Sequence, residues 1–173
     1  MKLLIASDSH GSAYYCEKLI AAYKASGAER MLLLGDLLYH GPRNDLPKDY
    51  NPKKVIAMLN EIGEELLCVR GNCDTEVDQM VLDFPILADY AIIEWKGRRI
   101  YATHGHHFNP DNPPKLKTGD ILLNGHTHVP KWEPFGDRGN WYLNPGSVSI
   151  PKEGSAHSYV ILDKDVTFQE LGE

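Results

Sequence analysis

Met31-Leu32-Leu33-Leu34-Gly35-Asp36 is an apolar run that stops abruptly at a glycine and a carboxylate. A run this short, closed by a turn residue, reads as a strand buried on both faces. Asp36 then stands just past the strand's carboxyl end. The same figure occurs upstream, where Leu3-Leu4-Ile5-Ala6-Ser7 leads into Asp8-Ser9-His10, and downstream, where Leu66-Leu67-Cys68-Val69 leads into Arg70-Gly71-Asn72. Between the first two runs, Tyr15, Leu19, Ile20 and Tyr23 recur at helical spacing until Gly27. Between the second and third, a helix starting near Pro52 carries Val55, Ile56, Leu59 and Ile62 on one face. Strand, helix, strand, helix, strand predicts an α/β fold with a parallel sheet and crossover helices.

The second half changes character. Strands are predicted over Tyr90 to Trp95, Arg99 to Thr103, Ile121 to Asn124, Trp141 to Leu143 and Tyr159 to Leu162, with a tight turn at Lys96-Gly97 and hairpins dominating. Asn109 to Pro114 is a loop rich in proline and asparagine, suited to border a cleft.

The chain has 173 residues, 42% apolar and 24% charged, which predicts one domain over residues 1–173. A net charge of −6 and a pI near 5.7 argue against the broad basic surface that long nucleic acids require. The three cysteines, Cys16, Cys68 and Cys73, lack the pairing of a disulfide framework or zinc ribbon, so a reducing compartment fits. The apolar start is broken by Asp8 and His10 too soon for a signal peptide or membrane span. A cytoplasmic protein without membrane contact is expected.

The chemistry collects where the runs end. Asp8 and His10 follow one strand, Asp36 the next and Asn72 the third, while His104 and the pair His126 and His128 follow two later ones. In open α/β sheets this edge is where ligands bind, because its loops converge on one crevice. Asp, Asn and His together supply oxygen and imidazole nitrogen, a set suited to manganese, iron, zinc, cobalt or nickel. Seven ligands exceed the needs of one tetrahedral ion, and a shared carboxylate would divide them between two, with Asp36 the best bridge.

Asp8-Ser9-His10, Gly35-Asp36, Gly71-Asn72, His104 and Gly125-His126-Thr127-His128 resemble, in order, the motifs of the calcineurin-like metallophosphoesterases. Tyr39-His40-Gly41-Pro42-Arg43-Asn44, Val69 to Asp74 and Asn144 to Pro151 are similar to the small bacterial YfcE-type phosphodiesterases within that family. The resemblance implies a four-layer α/β/β/α sandwich with two mixed sheets. It implies one divalent cation on Asp8, His10, Asp36 and His128, and a second on Asp36, Asn72, His104 and His126, manganese being expected ahead of zinc, nickel, iron, cobalt or magnesium. The implied reaction is hydrolysis of a small phosphodiester by a hydroxide bridging the two ions. A monoesterase of the same superfamily, a nuclease, and a non-catalytic trafficking scaffold of this fold are the alternatives. A homo-oligomer is possible.

One residue departs from the family pattern. Most relatives carry a histidine after Gly-Asn, whereas this chain has Cys73, a poorer acid for a departing alkoxide. Asp74, which could orient that histidine, loses this partner and is expected to hold the loop. Cys73, Asp74 and His106 are therefore the catalytic candidates beyond the metal ligands, with His106 a possible replacement acid. His40, Arg43 and Asn72 are the candidates for binding substrate, because arginine suits bidentate recognition of phosphate. Asn144-Pro145-Gly146-Ser147 reads as packing beneath the site, His107 and His157 as structural or solvated, and Trp95, Trp132 and Trp141 as core or interface.

Overall fold

In this computed structural model, which describes residues 1–172, strand β1 (Leu3–Ala6) is fully buried because both of its faces are covered. Leu4 and Ala6 point toward helix α1 (Ala13–Ser26) and helix α2 (Pro52–Glu61), sharing a core with Leu19, Val55 and Leu59. Leu3 and Ile5 point the other way, into a core shared with Ile100, Ile121 and Leu143 of the second half. The alternation of a strand's side chains thus feeds two cores from one apolar run.

Strands β2 (Arg30–Leu33) and β3 (Leu66–Cys68) pair parallel beside β1. The Ser12 side chain caps α1 by accepting from Tyr15 N, and Gly27 ends the helix in the left-handed conformation. Asn51 caps α2, with Pro52 in its first turn. The short helix α3 (Glu76–Gln79) is held by a capping box between Thr75 and Asp78.

The second sheet contains β4 (Ala91–Trp95), β5 (Arg98–Ala102), β6 (Ile121–Leu123), β7 (Lys131–Phe135) and β8 (Asn140–Asn144), in the order β4-β5-β6-β8-β7. The first sheet is completed by β9 (Ser158–Leu162) and β10 (Val166–Glu170), in the order β10-β9-β1-β2-β3. Hairpins are confined to the edges: β4–β5 turns at Lys96-Gly97, both at positive φ, and β7–β8 and β9–β10 close the other two. Hairpins thus take in six of the seven strands of the second half, as expected, while the middle of the second sheet is parallel, β5 to β6 to β8. Ile121-Leu122-Leu123 is buried on both faces, the pattern of a parallel strand rather than a half-exposed hairpin.

The expected sandwich of two mixed sheets is present. Helices α1 and α2 pack on the first sheet, and the irregular segment 103–120 covers the outer face of the second. There Phe108 meets Tyr101 edge-on at 6.0 Å, and Leu122 is fully buried. No helix among the described residues is long and apolar enough to cross a membrane.

Candidate metal centre

The parallel strands of both sheets end at the same edge. Six of the seven candidate ligands leave β1, β2, β5 or β6 there, and Asn72 follows β3 on its loop. His128 Nε2 and His10 Nε2 stand 3.2 and 3.5 Å from Asp8 Oδ1. His104 Nε2 and His10 Nε2 stand 3.4 and 3.8 Å from Asp36 Oδ2. Asn72 Oδ1 is 3.0 Å from His104 Nε2, and His126 Nδ1 is 3.2 Å from the same nitrogen. All seven residues therefore meet, as their strand-end placement predicted.

The tautomers show what this cluster fits. His10, His104 and His128 each present Nδ1 to a backbone carbonyl, of Tyr39, Leu34 and Ile150, at 2.7, 2.6 and 2.6 Å. With Nδ1–H donated outward, each Nε2 turns a lone pair inward. His10 Nε2 and His128 Nε2 then lie only 3.3 Å apart, and Asp8 Oδ1 is buried with no hydrogen-bond partner among the described residues. Such an assembly of acceptors is satisfied by cations.

Protons compete for the same lone pairs. Burial disfavours charge on His104, but the Asp36 carboxylate beside it and the charge of Asp8 raise it to about 9 in the metal-free protein. A raised pKa in the folded state contributes stability that is complete below the ordinary value of 6.5 and is lost as pH rises through about 9. The metal-free protein is therefore expected to melt at lower temperature as pH is raised across that window. Adding a divalent cation should restore the melting temperature at the alkaline end. Thermal melts with and without cation at pH 6 and pH 9 check this, and a melting temperature indifferent to pH would contradict it.

The backbone that carries the cluster is unusual. Asp8, His10, Asp36, His126 and His128, five of the seven, sit at positive φ between 45° and 66°. Non-glycine residues adopt this region only where the surroundings impose it. The imposition is visible. Asp8 N and His10 N donate to Gly35 O and Asp36 O. The hydroxyls of Ser147 and Ser149 donate to Asp8 O at 2.9 and 3.1 Å. Asn144 Nδ2 donates to Gly125 O at 2.8 Å. The Asn144-to-Ser149 turn thus packs beneath the site, as its sequence suggested. A Cβ at Gly125 would overlap Ser7 Oγ and Asp8 Oδ2, so this position admits no side chain.

Asp74 lies just below, 2% exposed. Its Oδ2 accepts from Asp36 N and Gly71 N, at 2.8 and 2.7 Å, and its Oδ1 from Leu37 N at 2.9 Å. It clamps the loop after β2 to the loop after β3 and touches no open space, which suits positioning.

A cavity of about 420 Å³ opens over the cluster, with Arg43, Asn72, Cys73 and Lys152 on its walls. Arg43 is exposed and free to turn toward an anion. Lys152 is a cation that the sequence reading missed, although it directly follows the Asn144-to-Pro151 stretch. His40 does not line this cavity. Its ring packs against Tyr39 and Tyr50, at 4.8 and 5.2 Å between centroids. His106 also stands apart, with its ring against those of His104 and His126 on the far side of His126. Burial and the neighbouring histidines, His104 foremost, push His106 down to about 4, so its imidazole is neutral near pH 7.

Cys73 is half-buried, and burial together with the Asp36 carboxylate pushes its thiol up to about 12 in the metal-free protein. Its backbone N–H, which donates to Asp36 Oδ1 at 2.8 Å, survives any side-chain change. Cys73→Ala is therefore expected to hold turnover within about fivefold, far short of the 10²–10⁴-fold cost of losing a working general acid. Steady-state kinetics with metal content measured alongside decides this. A collapse of turnover with full metal content would give the thiol a chemical role.

The family model of the calcineurin-like phosphoesterase superfamily domain matches residues 1–166. The chain is 49% identical to phosphodiesterase YfcE of Escherichia coli strain K12, over 96% of this chain and 89% of that one. It is 29% identical to a probable metallophosphoesterase, YsnB, of Bacillus subtilis, over 94% and 83%. The solved structure of the E. coli phosphoesterase YfcE superposes with a TM-score of 0.94 at 48% identity, covering 99% of this chain and 93% of that one. Vps29 of Chaetomium thermophilum shares the fold, with a TM-score of 0.61 at 18% identity over 94% and 82%.

Proposed function

Because the chain belongs to the calcineurin-like phosphoesterase superfamily, we propose that it is a metal-dependent phosphodiesterase that hydrolyses small diesters at a centre for two divalent cations. The observation that carries this reading is the acceptor-only cluster in which Asp8 Oδ1 is buried without a hydrogen-bond partner among the described residues. Asp8, His10, Asp36 and His128 would hold one cation and Asp36, Asn72, His104 and His126 the other. Asp36, whose Oδ2 lies within 4 Å of both His10 Nε2 and His104 Nε2, would be the ligand they share. Bound there, the ions supply Lewis acidity to a water nucleophile and to the phosphoryl oxygens. Manganese is the proposed metal, since oxygen and imidazole donors together suit it.

The chain's own residues complete the site. Arg43 and Lys152 offer positive charge at the rim of the cavity. Asn72, on the wall of the same cavity, would offer its amide to substrate as well as to metal. Neither the neutral Cys73 thiol nor the neutral His106 imidazole supplies a ready proton to the departing alcohol. Diesters with good leaving groups are thus favoured, and a diester, with a single ionised oxygen, makes the smaller demand on a pocket lacking a cationic histidine.

The chain is proposed to act as one domain in the cytoplasm, where its three free thiols suit a reducing compartment. Exposed Val77, Met80 and Val81 around α3 suit a homo-oligomer. The scaffold alternative, prompted by the shared fold of Vps29, fits less well, because all seven donors converge here. The test is to strip the protein of metal and assay an aryl phosphodiester and the matching monoester with added manganese, zinc, nickel or magnesium. Rescue with the diester hydrolysed faster is expected. Rescue with the monoester faster would make the protein a monoesterase, and no rescue by any metal would favour the scaffold.

A further inference from the structure

On the far side of the His126–Thr127 segment lies a second cavity of about 460 Å³, and both of these residues line it as they line the first. It sits on the outer face of the second sheet, between segment 105–111 and the β7–β8 hairpin, with Asn124, Tyr142, Lys131 and Glu133 among its walls. This volume suits a small organic group.

Asn124 is 1% exposed. Its Nδ2 donates to Thr103 O and Leu123 O, at 3.1 and 3.0 Å, which fixes the orientation of the amide. Oδ1 is left buried with no hydrogen-bond partner among the described residues, and His106 Nδ1 on the same cavity is in the same state. Leaving a buried polar atom unpartnered is costly, and a ligand donor entering the cavity would relieve that cost. The Tyr142 hydroxyl on the cavity wall lies 3.1 Å from Asn144 Nδ2 and also hydrogen-bonds the Thr127 side chain. Lys131 Nζ and Glu133 Oε1 stand 3.5 Å apart at the half-exposed rim.

Donors and acceptors therefore both line the cavity, Lys131 Nζ with Glu133 Oε1 and Asn124 Oδ1, which is what hydroxyl groups match, since each both gives and takes a hydrogen bond. We propose that this cavity is the subsite for the ester arm that stays on phosphorus, and that this arm is a hydroxyl-rich alcohol of glycerol to hexose size. The proposal rests on the phosphodiesterase reading and adds the substrate class to it. With phosphate over the metal centre, the arm crosses His126 and reaches Asn124 Oδ1.

The test uses three 4-nitrophenyl phosphodiesters with one leaving group and different second arms: methyl, glycerol, and glucose joined through its 6-hydroxyl. Each is assayed with the protein loaded with manganese, zinc, nickel or magnesium. A glycerol or glucose arm is expected to raise kcat/KM about tenfold or more over methyl, mainly through KM, as one or two added hydrogen bonds would. A gain confined to one of them supports the proposal and identifies the source of the hydroxyls. Val129→Trp, which fills the cavity, and the pair Lys131→Ala with Glu133→Ala, which strips its rim, should each bring that ratio toward one. Equal kcat/KM for all three diesters would overturn the subsite and leave the phosphodiesterase reading standing. A ratio untouched by either variant would also overturn it. Failure to hydrolyse any of the three with any metal would overturn that reading, and the subsite with it.

Discussion

Asp36→Ala is expected to lower turnover at least about 10³-fold, beyond what the loss of a single oxyanion-stabilising group costs, and to reduce bound metal toward none. The reason lies in the two jobs of one carboxylate. Oδ2 faces His10 and His104 across the centre, and Oδ1 holds the Cys73 amide. Asp36→Asn separates these jobs. It keeps an oxygen for the Cys73 N–H and removes the charge between the two histidines, so the loop should persist while metal is lost. Metal content by elemental analysis, far-UV circular dichroism and turnover are measured together. Asp36→Asn with full metal and near-normal turnover would show that the centre does not depend on this carboxylate. His128→Ala belongs to the same class, since its Nε2 stands 3.2 Å from the buried Asp8 Oδ1.

Asp74→Ala is expected to destabilise the fold by about 3–5 kcal/mol, because it leaves three buried amides without an acceptor at a cost of about 1–3 kcal/mol each. For a chain of this size that amounts to roughly a 10 °C fall in melting temperature. Asp74→Asn should fall between wild type and alanine. Its single carbonyl oxygen can serve the Asp36 and Gly71 amides, while its NH₂ would confront the Leu37 N–H. Calorimetry of the three proteins in excess chelator reads this order without a contribution from metal. An alanine variant as stable as wild type would mean that water replaces the carboxylate at no cost.

Much of this was legible in the sequence where burial is two-sided and the termini carry chemistry. Leu3 to Ala6 and Met31 to Leu34 announce strands because each residue faces one core or the other, and the aspartate just past each run marks the site. Strands β7 and β10 escaped for the opposite reason. Both lie at sheet edges, β7 contains Pro134, and β10 is mostly exposed, so neither shows an apolar period. The parallel middle of the second sheet was hidden as well, since pairing direction depends on long connections that leave no local signal. At the site, the cluster of candidate ligands was readable because its residue types are specific. Lys152 was not, because a surface lysine carries no pattern until folding brings β6's loop beside it, where Lys152 N donates to His128 O. His40 shows the reverse case: a histidine in a suggestive motif whose ring is occupied by two tyrosines.

The positive φ angles at Asp8, His10, Asp36, His126 and His128 restrict how this centre can change. Aspartate, asparagine and histidine are the side chains that both tolerate this backbone region and carry a metal donor on a short stem. Exchange at these five positions is thus confined to a three-letter alphabet. Glutamate would bring the same charge to a longer arm on a backbone it adopts less readily, and a β-branched residue would be strained before any ion arrived. Attempts to retune metal preference by replacing ligands should therefore find few viable variants here. More freedom lies at Asn72 and His104, whose own backbones are not held in this conformation.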